Sequence, residues 1–129
     1  MSCPAEITLR VPGERAYALV IRTMLGGVAM VKDLDVDAMD DLRAAADEAF
    51  DCLLNQGAPA RALELAVWDE GRALTISLEA DLEETAVGSV TADLEMTRAV
   101  LETLIPHVVL TCTAKGRIRR IDMTLPKAY

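Results

Sequence analysis

The chain has 129 residues, of which 52% are hydrophobic and only 3% aromatic, and its formal net charge is −8. This length and apolar content predict one folded domain over residues 1–129 with an aliphatic core, and they exclude a disordered chain. The negative charge argues against nucleic acid as a partner, because phosphate contacts need clustered Lys and Arg. It favours a basic protein partner, although a need for solubility would also explain it.

The cysteines and the apolar segments indicate the compartment. Cys3, Cys52 and Cys112 are far apart in the sequence, and a zinc site needs close ligand pairs, so we expect no metal site. The odd number of thiols indicates a reducing compartment. The N-terminal sequence MSCPAEITLR lacks the basic and apolar regions of a signal peptide, and the longest apolar stretch is short and contains Arg22. We therefore expect a cytoplasmic protein without membrane contact.

The first half of the chain predicts a strand followed by two helices. Residues 6–11 alternate between apolar and polar, which is typical of a strand. Residues 14–31 repeat apolar side chains at helical spacing. A second helix is predicted to begin at a cap formed by Asp35 or Asp37 and to end at Gly57.

The second half predicts two hairpins separated by a helix. We expect a first hairpin with strands over 62–68 and 73–79, joined by DEGR, and then an acidic loop over 80–92. A helix over 93–105 follows, and then a final hairpin with strands over 107–114 and 117–125, joined by Lys115-Gly116. The order is therefore β-α-α-β-β-α-β-β. It predicts an α+β two-layer sandwich, with one mixed β-sheet and the helices on one face.

Two stretches of the helices carry a resemblance to a known family. The first helix contains R-T-M-L-G-G-V-A and the second contains D-E-A-F-D-C-L-L-N-Q-G. With the element order and lengths, these stretches resemble the GHKL (histidine-kinase-like) ATPase fold over nearly the whole chain. More narrowly, the chain resembles the RsbW/SpoIIAB type of anti-sigma factor and serine-protein kinase, which typically has an Arg on the first helix and S-E-A-x-x-N-A-x-x-H-G on the second.

The resemblance implies a specific activity. Members of this family bind Mg-ATP between the second helix, the sheet and a mobile lid. They hold a sigma factor inactive, and they phosphorylate a serine of an anti-anti-sigma partner, so that the partners are exchanged. They act as dimers, and a homodimer is therefore an expectation for this chain as well.

Carried over residue by residue, the family's nucleotide motifs are incomplete here. Glu48 stands where the family has its general base, although a solvated helix carboxylate would also explain it. Cys52 stands in place of the magnesium-binding Asn, and because sulfur is a poor magnesium ligand, a small apolar filler is the better interpretation. Asp81 is one residue late for the Asp that contacts adenine, and Glu95-Met96-Thr97 replaces the glycines that cradle phosphates.

Surface arginines are the remaining candidates. Arg22 matches the family's first-helix Arg, which helps to contact protein partners, although an ordinary exposed Arg would look the same. Arg117, Arg119 and Arg120 form a basic cluster on the last hairpin. This cluster could pair with the acidic surface of a second subunit, but a solvated sheet edge is the simpler interpretation.

These residues favour a regulator that acts by binding rather than by catalysis. The resemblance implies an anti-sigma factor whose partner is a sigma factor or an anti-anti-sigma domain, and whose nucleotide site is degenerate. We expect no cofactor, and ATP and Mg²⁺ only if the family's activity is retained. The alternative is an active Mg-ATP-dependent serine-protein kinase with Glu48 as the base, and a third possibility is an unrelated α+β module.

Overall fold

The computed structural model describes residues 3–84 and 93–127, and this part of the chain confirms the predicted α+β class. It contains five strands and three helices, and a 3₁₀ turn precedes the first helix. The elements are β1 (Ile7–Pro12), α1 (Ala18–Val31), α2 (Val36–Leu54), β2 (Ala60–Asp69), β3 (Ala73–Leu82), α3 (Leu94–Glu102), β4 (His107–Cys112) and β5 (Ile118–Pro126). Among the described residues, no helix has the length and apolar character that crossing a membrane requires.

The sheet differs from the mixed sheet that the sequence predicts. Its strand order is β1-β2-β3-β5-β4, and each of these neighbouring pairs is antiparallel. With two helices between β1 and β2, the chain reverses its direction three times, so that β2 returns antiparallel beside β1. The single helix α3 leaves β3 and β4 pointing the same way, but β5 lies between them and pairs antiparallel with both.

The helices cover one face of this sheet. Alternate strand residues, such as Leu65, Leu78 and Ile121, point into a continuous aliphatic core that also contains Leu25 of α1 and Leu42 of α2. On the opposite face the register aligns polar residues across the strands. α2 is the central helix, because it contacts both α1 and α3 as well as β3 and β5.

The structure shows which residues begin and end the predicted elements. Asp35, rather than Asp37, caps α2 by accepting a hydrogen bond from the backbone N–H of Ala38 at 2.8 Å. Gly57 follows α2 with a φ of 75°, a conformation that glycine adopts without strain. β3 continues to Leu82, so the predicted loop over 80–92 begins later than expected, and residues 85–92 lie outside the described part of the chain.

The basic cluster predicted on the last hairpin is not a solvated edge. β5 lies between β3 and β4 in the sheet, and Arg117, just before it, is 1% exposed. Arg117 forms an ion pair with Glu84 at 2.9 Å, and Arg119 is ion-paired with Glu79. Arg120 pairs with Asp122 at 2.9 Å. The acidic residues that neutralise this cluster come from the same chain.

Candidate functional site

A cleft of about 360 Å³ lies between α2 and α3, and one of its walls is the helix that the family resemblance places beside a nucleotide. α2 supplies one wall and α3, with its capping residue, supplies the other. The lining residues are Glu48, Asp51, Cys52, Asn55, Asp93, Met96, Thr97 and Val100. Two of the predicted site residues, Glu48 and Cys52, are therefore brought together, one turn apart on the same helix face.

The thiol of Cys52 lies on the floor of this cleft. It is half-buried, and its sulfur is 3.7 Å from the hydroxyl oxygen of Thr97. Burial raises the pKa of the Cys52 thiol above its ordinary value, the hydrogen bond with the Thr97 hydroxyl opposes this, and electrostatic interactions with Glu48 and Cys112 raise the pKa further. The thiol is therefore protonated at neutral pH, which makes it a poor nucleophile and a poor metal ligand.

The polar part of the cleft is acidic. Among the described residues that line it, three are carboxylates, Glu48, Asp51 and Asp93, and none is basic. Arg15, from the turn before α1, reaches Asp51 at 2.7 Å, but both side chains are more than half exposed, so water screens this pair. The Asp93 carboxylate accepts the N–H of Met96 at 3.1 Å and so caps α3. An anionic ligand here would face net repulsion, whereas a cationic group would be attracted.

Asp81 is not part of this cleft. It lies within β3, opposite Ala62 of β2, and not in a loop that could wrap around a base. Its carboxylate pairs with Arg10 at 3.3 Å and with Arg61 at 3.2 Å, on the sheet face away from the helices. The structure therefore separates Asp81 from Glu48 and Cys52 by the thickness of the sheet.

Arg22 lies on α1 beside α2. Its guanidinium donates to one carboxylate oxygen of Asp47, with Nε and Nη2 at 3.3 and 3.2 Å. The Arg22 side chain is 43% exposed, so it remains accessible on the outside of the helix layer. Asp47 immediately precedes Glu48 in the sequence, which places the predicted partner contact next to the cleft.

Sequence reasoning missed the α3 wall of the cleft. Asp93, Met96, Thr97 and Val100 follow the i, i+3, i+4, i+7 spacing of one helix face, and this spacing was visible in the sequence. The family resemblance directed attention to Glu95-Met96-Thr97 as a replaced glycine motif instead. In the structure, these three residues form the first turns of α3.

No protein-family model matches the chain, and no curated protein matches it either.

Proposed function

We propose that the chain is a degenerate member of the GHKL-fold anti-sigma family, which regulates a protein partner by binding it and does not transfer phosphate. The observation that carries this proposal is the acidic cleft between α2 and α3. Glu48, Asp51 and Asp93 place carboxylates where a triphosphate would have to lie. The protonated thiol of Cys52 stands where the family has a hard oxygen ligand for Mg²⁺. A cytoplasmic location belongs to the same proposal.

The partner in this proposal is a sigma factor or an anti-anti-sigma domain, held on the outside of the helix layer. Arg22 is accessible there, and its pair with Asp47 offers both a cation and an anion to a partner. The net charge of −8 adds long-range attraction for a partner with a basic surface.

The partner is tested by measuring binding to purified sigma factors and anti-anti-sigma domains encoded in the same genome. We expect one of them to bind, and we expect Arg22→Glu to weaken that binding by at least about tenfold, because a hot-spot charge reversal costs more than ~1.4 kcal/mol. Arg72→Glu is the matched control, since Arg72 is exposed on the distant turn between β2 and β3. Failure of every candidate to bind would refute the regulatory role.

The nucleotide is tested by thermal unfolding with and without millimolar Mg-ATP. A ligand at a hundred times its dissociation constant stabilises a protein by ~2.7 kcal/mol, which shifts the midpoint visibly. We expect no shift, because the cleft repels phosphate. A clear shift would contradict the degenerate site.

The second candidate function is an active Mg-ATP-dependent serine-protein kinase. The observation in its favour is the position of Glu48, whose carboxylate is exposed in the cleft between α2 and α3. In that case Glu48→Gln would abolish phosphate transfer to an anti-anti-sigma domain while leaving partner binding intact. Under the binding proposal, no transfer is detected with either protein.

A further inference from the structure

The cleft between α2 and α3 has an apolar wall as well as acidic residues. Met96 and Val100 lie one turn apart on α3, both line the cleft, and they are 64% and 38% exposed. The half-buried thiol of Cys52 continues this surface on α2. Met is common at surfaces that bind other proteins, because its unbranched, polarizable side chain adapts to different shapes. An exposed apolar pair at the side of a cavity is therefore a candidate surface for a partner to bury.

The size of the cleft limits what it can hold. Its volume of about 360 Å³ is near the lower end of the range of about 300–1,000 Å³ for ligand pockets. One turn of an α-helix is about 10 Å wide with its side chains and about 5.4 Å long, so it fills roughly 400 Å³ or more. The cleft therefore admits one or two side chains of a partner, whereas the backbone that carries them stays outside.

The carboxylates around the cleft have capacity for a cation. Glu48 is exposed, and it forms no hydrogen bond or ion pair with any other residue that the structure describes. Asp51 is paired with Arg15, but both side chains are more than half exposed to water, so a second cation can share the carboxylate at little cost. Asp93 caps α3 by accepting one N–H, and a carboxylate has about four acceptor positions.

The ends of the two helices reinforce the preference for a cation. α2 ends at Leu54, and its C-terminal cap Asn55 lines the cleft. The last carbonyl groups of a helix carry a partial negative charge, which attracts cations. The N-terminus of α3 carries the opposite partial charge, but the carboxylate of Asp93 caps it. The charged side chains and the helix ends therefore favour the same sign of ligand.

We propose that the cleft receives a lysine or arginine side chain of the regulated protein partner, and that an apolar residue of the same segment packs on Met96 and Val100. This proposal rests on the proposed function, because a protein partner supplies the segment. A protein segment is favoured over a free amine because it brings a cation together with an apolar side chain, and the cleft has a place for each.

The cleft is continuous with the surface around Arg22. Asp47, which accepts the hydrogen bonds of Arg22, lies one turn before Asp51 on α2, and Asp51 lines the cleft. One partner can therefore contact Arg22 and insert a side chain into the cleft at the same time.

The first test uses a defined probe in place of the natural partner, a synthetic amphipathic helical peptide of Leu and Lys. The peptide is titrated into isotope-labelled protein, and the backbone amide shifts are followed by NMR. We expect saturable shifts at the residues of the cleft, over 48–55 on α2 and on the first turns of α3. A peptide with Glu in place of Lys should not bind, and one with Ser in place of Leu should bind at least about tenfold more weakly.

Matched double variants separate the cleft from the overall negative charge of the protein. Glu48→Gln with Asp51→Asn should weaken binding of the Leu–Lys peptide by at least about tenfold. Asp40→Asn with Glu102→Gln removes the same charge from exposed positions outside the cleft, and should change the affinity by less than about twofold. Circular dichroism verifies that both variants fold.

Three results of this test would overturn the proposal. The first is an equal loss of affinity in the two double variants, and the second is a set of shifts spread over the whole acidic surface. The third is a titration in which spermidine shifts the same amides with an affinity equal to that of the peptide, because the cleft would then be a site for free amines.

The second test keeps a failure of this inference distinct from a failure of the proposed function. It measures the same double variants against the sigma factor or anti-anti-sigma domain that binds the chain, and we expect the variant at Glu48 and Asp51 to bind about tenfold more weakly. If this variant binds like the wild-type chain while Arg22→Glu binds weakly, the regulatory role stands and the cleft is not part of the interface. If no partner binds but the Leu–Lys peptide occupies the cleft, the regulatory role fails and only the preference of the cleft for a basic segment stands.

Discussion

Two polar regions adjoin α2, and they differ in how deeply their polar side chains are buried. At the C-terminal end of the helix, Gln56 and Arg117 are buried at 0% and 1% exposure. The Gln56 amide donates to the carbonyl of Ile118 at 2.7 Å and accepts the Ile118 N–H, while Arg117 donates to the Gln56 carbonyl at 3.0 Å. Along the side of the same helix, the cleft leaves Glu48 and Asp51 exposed.

The difference separates residues that hold the fold from residues that are available to a ligand. Buried polar groups are costly unless they are hydrogen-bonded, so the junction of Gln56, Arg117 and Ile118 is expected to be rigid and intolerant of change. Exposed carboxylates stay hydrated and contribute little to stability, and they can exchange water for a partner. Mutations at the buried junction should therefore lower stability, whereas mutations in the cleft should change ligand binding and leave stability nearly unchanged.

The largest expected effect is at the buried junction. Arg117→Met leaves the Glu84 carboxylate and the Gln56 carbonyl without their cation, and we expect it to lower the free energy of unfolding by about 3 kcal/mol. Arg119→Met is the matched control on the same segment, because the Arg119–Glu79 pair is partly exposed and should contribute less than about 1 kcal/mol. Urea denaturation measures both variants, and equal losses would contradict the comparison.

A third polar cluster, around Asp69, resembles the buried junction because its charges are paired within the chain. It predicts that the stability of the fold depends on pH in the acid range. Lys127 and Lys32, each at 2.9 Å, and the N–H of Gly71 hold the pKa of Asp69 well below its usual value. A lowered pKa in the folded state stabilises the protein above the unfolded pKa of about 4, and this contribution is lost as the pH falls further.

We therefore expect Asp69→Asn to lower the unfolding midpoint at pH 7, and we expect its difference from the wild-type chain to shrink below about pH 4. Asp47→Asn is the control, since the Asp47 side chain is 46% exposed and its ion pair with Arg22 lies on the surface. Thermal unfolding followed by circular dichroism gives both midpoints. If the difference in unfolding midpoint between Asp69→Asn and the wild-type chain stays constant down to pH 2, the ion pairs of Asp69 do not stabilise the fold in the way proposed.

The elements of the fold were predictable because their signals are local. The alternation in β1, the aspartate cap at Asp35 and the glycine after α2 each act within a few residues. Strand neighbours are not local, and this is why the antiparallel order with β5 between β3 and β4 was missed. The same holds for Arg117, whose partners Gln56 and Glu84 are distant in sequence, so its burial could not be seen in a run of arginines.

The candidate site was predictable on one wall only. Glu48 and Cys52 share a face of α2 because of helical spacing, and the structure places both in one cleft. The opposite wall depends on how α3 packs on α2, which the sequence does not encode locally. Asp81 was placed by assuming a loop after β3, but strand pairing continues through Leu82 and points its carboxylate at Arg10 and Arg61.

The smallest expected effect is in the open cleft, and it is measured as the alkylation rate of Cys52. The thiolate is the reactive form, and burial together with the charge of Glu48 raises the thiol pKa, so iodoacetamide should modify the exposed Cys3 and Cys112 before Cys52. Glu48→Gln removes one of the charges that raise this pKa. We expect it to speed alkylation of Cys52 by about twofold and to change the free energy of unfolding by less than about 0.5 kcal/mol.

Glu102→Gln is the control for this variant, because Glu102 is exposed at the end of α3 and does not line the cleft. Peptide mass spectrometry at successive times gives the rate for each cysteine separately. If Cys52 reacts as fast as Cys112 in the unmodified chain, its thiol is not held protonated, and the electrostatic argument against a nucleotide loses its support from Cys52. If Glu48→Gln instead destabilises the fold as much as Arg117→Met, the Glu48 carboxylate is structural, and the contrast between the buried junction and the open cleft fails.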